Sequence, residues 1–228
     1  MARSYDQKEL MQRAEKARKK GRKRAAITLY RELLAVDREL PEVHARLAPL
    51  LGKTRQPYDA WLSFRAAAEG FMRAQQGDRA LAVYYEAAHH LPRLPEVWQT
   101  IARLQCARGK PEEALRALRD GRKKLHRRLD RAQAIHLLRV AHEVEPWNTD
   151  TVLDLARLLS KTRQRGEALL LLEALAQRAL GVALRRTRGL QFRVSRRPGH
   201  AWLWLRAWKQ ALAHPTPRRA RSVRSAAV

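Results

Sequence analysis

Residues 94 to 115 read Leu-Pro-Glu-Val-Trp-Gln-Thr-Ile-Ala-Arg-Leu-Gln-Cys-Ala-Arg-Gly-Lys-Pro-Glu-Glu-Ala-Leu. Pro95 suits the first position of a helix, where its missing N–H costs nothing. Trp98, Ile101, Ala102 and Gln105 follow at steps of three and four, one face of a 3.6-residue period. Gly109 suits a helix stop. Pro111 with Glu112 and Glu113 suits the next start, with carboxylates at the positive end of the helix dipole. Ala114 and Leu115 open a second apolar face. The stretch predicts a helical hairpin.

Working outward, the hairpin recurs. Ala26 and Ala60, Ala80 and Ala114, and Ala134 and Ala168 are each 34 residues apart. An offset of 54 links Leu47 and Ala48 with Ile101 and Ala102 and then with Leu155 and Ala156, and it also links Pro92 with Pro146. At twice that offset Leu50-Leu51-Gly52-Lys53-Thr54-Arg55-Gln56 returns as Leu158-Leu159-Ser160-Lys161-Thr162-Arg163-Gln164. A near-identical heptapeptide in the same register as the apolar matches marks an internal repeat.

These residues carry a family resemblance. The window 95–128 resembles a tetratricopeptide repeat, with Trp98 at its fourth place, Ile101 and Ala102 at the seventh and eighth, Gly109 at the fifteenth and Ala114 at the twentieth. The window 61–94 is similar through Phe64, Ala67, Ala68, Phe71, Ala80, Tyr84, Ala87 and Pro92. Windows 7–40, 41–74 and 149–182 are looser matches, and the resemblance covers roughly residues 7–182. It implies an all-α, right-handed helical-hairpin solenoid and a non-catalytic protein-interaction scaffold. There is one departure from the family pattern. The matching windows overlap, so a helix near 57–75, and another near 111–127, closes one repeat and opens the next, giving three helices in 54 residues.

Taken in order, the chain reads as helices at 5–20, 22–39, 41–53, 57–75, 78–90, 95–108, 111–127, 130–145, 149–162 and 165–180. Asn148 or Thr149 is the expected cap of the helix after Pro146. The expected domains are a repeat domain over 1–182, a degenerate repeat with a Trp-rich capping helix over 183–213, and a basic disordered tail over 214–228. Between 183 and 200, Leu190, Phe192 and Val194 alternate, which fits either a short strand or an irregular helix. From His200 on, Trp202, Leu205, Trp208 and Leu212 share one helical face, and that face is expected to seal the last repeat. The tail carries Pro215, Pro217, Arg218, Arg219, Arg221 and Arg224.

The net charge is +26, with a sequence pI near 11.5. Such a charge attracts anions and repels itself; an Arg-rich composition accounts for part of it. Basic residues cluster at 16–24, 116–131 and 185–197, and the first two clusters are expected to form a margin on one side of the solenoid. Cys106 is the only cysteine, so a reducing, cytoplasmic setting fits, and its mid-helix place predicts a buried filler. The longest apolar run, 168–176, is interrupted by Glu173 and is too short to span a bilayer.

Motifs for catalysis are decoys. Gly52-Lys53-Thr54 looks like the end of a phosphate loop, but Leu47 stands where the first glycine is required and no strand precedes it. His89 and His90, and His136 and His142, lack zinc spacing. The reading is therefore no enzyme, no cofactor and no metal. If the family's first-helix positions line a groove here, Arg65, Arg73, Arg103, Arg119, Lys123, Arg157 and Lys161 face the ligand; otherwise they are a solvated helix face with a few ion pairs. The expected partner is an acidic protein or peptide segment, with nucleic acid, RNA or DNA, as the alternative.

Overall fold

The computed structural model describes residues 2–213, and every regular element among them is helical. The order is α1 (Ala2–Lys19), α2 (Lys23–Val36), α3 (Pro41–Lys53), α4 (Pro57–Arg73), α5 (Gly77–His90), α6 (Pro95–Ala107), α7 (Pro111–Lys124), a 3-10 turn at Arg128–Asp130, α8 (Arg131–Val144), α9 (Thr149–Lys161), α10 (Arg165–Ala176), α11 (Gly181–Ser195) and α12 (Pro198–Ala213). The basic tail expected over 214–228 lies outside the described residues. The chain forms two compact units, Met1–Leu137 and Leu138–Val228.

The hairpins share one turn design. A left-handed residue follows α1, α3, α4, α6 and α9: Gly21, Arg55, Gln75, Gly109 and Arg163, with φ of 71°, 59°, 59°, 70° and 66°. The next N–H reaches back to a carbonyl near the helix end: Arg22 to Ala17 (3.0 Å), Gln56 to Leu51 (3.0 Å), Gln76 to Phe71 (2.8 Å), Lys110 to Gln105 (2.9 Å) and Gln164 to Leu159 (3.0 Å). That bond satisfies an orphan carbonyl and reverses the chain. The left-handed residues are separated by 34, 20, 34 and 54 positions. One turn and a half further on stand Ala26, Ala60, Ala80, Ala114 and Ala168, each 0% exposed. A methyl group at each of these places lets the paired helices approach closely.

In the first unit α4 packs against both α3 and α5 and has a left-handed turn at each end, so it belongs to two hairpins, as the overlapping windows predict. α7 pairs with α6, but the connection after it is built differently. Asp130, in the 3-10 turn, is buried and accepts two hydrogen bonds from Arg93 (2.7 and 2.9 Å); those bonds, against burial, hold its carboxyl below the usual range. Trp98 donates its indole N–H to the Pro92 carbonyl (3.0 Å) and lies flat against Gly121. Cys106 is exposed, contrary to expectation. Gln105, on the face of Trp98, Ile101 and Ala102, takes the inward place beside it, and its amide donates to the Tyr85 hydroxyl (3.2 Å).

In the second unit Asn148 caps α9, its side chain accepting from the Thr151 N–H. The segment after Gly181 is α11, a helix. Thr187, Leu190 and Gln191 are buried on its one face. Arg188 (2.7 Å) and Gln191 (2.6 Å) both donate to Glu173 of α10, and these bonds, led by Arg188, keep that carboxyl ionised to lower pH than usual. α12 packs on α11 through Trp204, stacked on Phe192 (ring centroids 6.3 Å, planes 9° apart), and through buried Ala207. The sealing face expected of Trp202, Leu205 and Trp208 is therefore the outer one, 61%, 51% and 45% exposed. Gly189 decides the rotation: a Cβ there would sit 2.9 Å from the Trp204 indole nitrogen, so only a glycine admits that ring. The side chain of Leu212 is outside the described set.

Candidate functional site

The seven arginines and lysines expected to face a ligand are all exposed. Arg65 pairs with Glu69 of its own helix (3.2 Å) and Arg73 with Glu39 (3.6 Å). Lys123 pairs with Asp120 (2.8 Å), and Arg119 donates to the carbonyl of Leu115 (3.3 Å). Arg103 on α6 and Lys161 at the end of α9 meet no carboxylate within ion-pair range among the described residues. Arg157 lines a cleft on the second unit.

A groove of the first unit, about 590 Å³, is ringed by other cations: Arg18, Lys23, Arg46, Lys53 and Arg79. α3 lends it a stripe of Glu42, Ala45, Arg46, Pro49 and Lys53, at helical spacing of one face, and α5 answers with Arg79, Ala82, Val83 and Glu86. Phe71 of α4 closes the floor, and the Arg79 guanidinium lies 4.0 Å above its ring. Three of the cations are tethered, Arg79 to Glu42 (3.4 Å), Arg46 to Glu15 (3.3 Å) and Arg18 to the same Glu15 (2.7 Å). Lys23 and Lys53 are not tethered to any carboxylate of the described residues. Pro49 stands inside α3 and has no N–H to give, so the Ala45 carbonyl beside it loses its usual helical partner.

The electrostatics of the wall follow from this packing. Partial burial pushes the Glu86 carboxyl up, with Lys53 and His89 opposing. Burial pulls His90 down, as do the charges of Lys53 and His89; its ring stacks on Phe64 (6.2 Å). Lys53 is thus the charge that its neighbours feel.

The phosphate-loop decoy resolves into a cap. Lys53 is the last residue of α3, and the Thr54 hydroxyl donates to the carbonyls of Leu50 (2.9 Å) and Leu51 (3.1 Å). Its copy repeats the bonds, Thr162 to Leu158 (3.2 Å) and Leu159 (3.1 Å). A phosphate loop works through the N–H groups at a helix N-terminus; here both helices present carbonyls. Among the described residues no three His, Cys, Asp or Glu side chains gather as metal ligands, and no helix is long and apolar enough to cross a membrane.

Sequence reasoning found Arg18 and Lys23 only as members of a charge run, and Lys53 only within the decoy. The signal for the groove was the α3 stripe itself. Ala45 and Pro49 on an otherwise charged face leave a shallow place that long side chains surround.

No family model matches the chain, and none of the curated proteins compared matches it. Several solved structures are similar. One is Pseudomonas aeruginosa pilF, 16% identical over 94% of this chain and 95% of that one, with a TM-score of 0.31. Another is the P58(IPK) TPR domain, 13% identical over 96% of this chain and 63% of that one, with a TM-score of 0.35. A third is a thermophilic TPR protein from Thermus thermophilus, 18% identical over 91% and 93%, with a TM-score of 0.34. At that distance they carry no inference about binding. What the chain's own geometry does give, in left-handed turns spaced by 34 residues and an alanine buried at the crossing of each such hairpin, is a tetratricopeptide-like helical repeat.

Proposed function

We propose that the protein is a non-catalytic interaction scaffold whose first-unit groove receives an acidic segment of another protein. One observation carries the reading: the groove sets five cations against two carboxylates, Glu42 and Glu86, over an apolar floor, and two of the cations, Lys23 and Lys53, make no ion pair among the described residues. The α3 stripe from Glu42 to Lys53 runs roughly 16 Å at 1.5 Å per residue, enough for about five residues of extended chain. Carboxylates of such a segment would meet Lys23 and Lys53 in charge-assisted bonds, and one of its N–H groups would find the Ala45 carbonyl. Phe71 and Val83 offer an apolar side chain a seat. A cytoplasmic setting belongs to this proposal, on the strength of a lone exposed thiol.

The test is fluorescence polarisation with a short labelled Glu-rich peptide carrying one Leu. The double substitution Lys23→Glu with Lys53→Glu weakens binding about tenfold, the size of a two-charge reversal at a groove rim. Arg65→Glu, outside the lining of the groove and already paired within its own helix, leaves it unchanged. Equal loss in both variants, or loss in neither, removes the groove from consideration.

A further inference from the structure

The two last helices of the second unit differ from the rest of the chain in one respect. Residues 181–213 hold eight arginines and lysines and no aspartate or glutamate, together with Phe192, Trp202, Trp204 and Trp208. α9, α11 and α12 enclose a cleft of about 280 Å³ lined by Arg157, Arg185, Arg186, Arg193, Trp204 and Trp208. Of its four guanidinium groups only that of Arg186 has a carboxylate partner, Asp150 (2.7 Å); Arg157, Arg185 and Arg193 have none among the described residues. Arg188, next to them, is taken by Glu173.

The aromatic wall is equally open. Trp204 is held by Phe192 and Gly189, so its ring is fixed at the cleft. Trp208 is 45% and Trp202 61% exposed, and Arg206 lies 5.7 Å from the Trp202 ring centroid. Trp204 and Trp208 of α12 thus share the cleft with guanidinium groups of α9 and α11, Trp202 stands outside its lining on the same helix, and Arg196 and Arg197 extend the charge to the turn between α11 and α12.

From this juxtaposition we infer that the α11–α12 pair is a binding site for single-stranded nucleic acid, separate from the acidic-segment groove. Unpaired bases stack on the open tryptophans while the phosphates meet the unpartnered arginines, the combination by which sequence-tolerant single-strand sites work. A duplex would use the arginines but keep its bases stacked on one another. An acidic peptide would use the arginines and leave the indoles in water. A free mononucleotide would fill the cleft but not the cations beyond it.

The experiment uses the full chain, freed of nucleic acid, and follows both tryptophan emission and the anisotropy of labelled oligo(U), oligo(dT) and a duplex of equal length. Single strands of either sugar quench the tryptophans and bind more tightly than the duplex. Trp208→Ala weakens the single strand about tenfold, within the range of one lost base stack, and leaves duplex binding alone. Trp202→Ala serves as the second variant, and both positions are exposed enough to leave helicity unchanged by circular dichroism. Replacing Arg185 and Arg193 by glutamine lowers the log–log salt slope by about 1.4, at about 0.7 for each phosphate contact of a single strand. The inference is overturned by duplex binding as tight as single strand with neither tryptophan variant having an effect. It is overturned also if the Glu-rich peptide, and not the oligonucleotide, quenches emission, or if uridine monophosphate alone reproduces the quenching and affinity of the strand.

Discussion

At Gly121 a methyl group would lie 2.4 Å from Cγ of Trp98 and under 3 Å from two further ring atoms. Helix propensity alone favours Ala over Gly by about 1 kcal/mol, but the indole is fixed by its bond to Pro92 and has nowhere to go. Overpacking of this kind costs about 1–3 kcal/mol, so the clash outweighs the propensity, and Gly121→Ala lowers the urea midpoint. At Gly166, on α10, nothing lies within 4 Å of the added carbon. There Gly166→Ala stabilises by up to about 1 kcal/mol and so raises the midpoint. One substitution thus takes opposite signs, and equilibrium unfolding reads both. Neither glycine stood out in the sequence. Trp98 was legible as a buried anchor, but the surface it anchors to is 23 residues away in the chain and lacks any side chain to announce it. Cys106 shows the complementary failure: its spacing from Ala102 suits the inner face, but Gln105, on the face that Trp98, Ile101 and Ala102 define, takes the inward place and donates to the Tyr85 hydroxyl.

Among the elements, turns were easier to read than faces. Gly109 stopped a helix in the sequence for the reason it does so in the structure, a φ of 70°. Arg55, Gln75 and Arg163 occupy the same turn position with φ of 59°, 59° and 66°, yet an arginine or glutamine gives no local sign of left-handed backbone. Only the repeat register points to them. Left-handed backbone costs a side-chain-bearing residue about 1–2 kcal/mol, and glycine's greater chain entropy gives back about 0.5–1 kcal/mol. Gln75→Gly and Arg163→Gly are therefore expected to stabilise by roughly 0.5–1 kcal/mol each, while Gly109→Ala destabilises by a similar amount; thermal melting of the three variants is the check. α11 was illegible for a different reason. Leu190, Phe192 and Val194 alternate like a strand, but Glu173 recruits Arg188 and Gln191 from one helical face and Trp204 needs Gly189. Tertiary partners set that element, and they also turned α12 so that its expected sealing face became the outer one.

Across the whole molecule the charge of +26 is a property of composition and was visible at once; where it concentrates was not. Which cations ring a groove depends on which helix faces pack together, so Arg65 and Lys123 turned out to be paired on open faces while Lys23, Lys53 and Arg185 make no ion pair among the described residues. Exposed ion pairs contribute little each, whereas the excess of like charge acts over the whole surface. Screening it with sodium chloride, from about 0.01 M to about 0.3 M, should raise the melting temperature by about 2–4 °C, the shift that some 1 kcal/mol makes in a chain of this size. A fall in melting temperature would mean that the ion pairs outweigh the repulsion. The double membership of α4 has a consequence for how such a protein is taken apart. A hairpin repeat is ordinarily an exchangeable cassette, removable without harm to its neighbour. Because α3 and α5 both lean on α4, a deletion that excises either hairpin strips the other of its inner wall. The first unit offers clean cutting points only at the looser joins, α2 to α3 and α5 to α6, and the segment between them is inherited or lost whole.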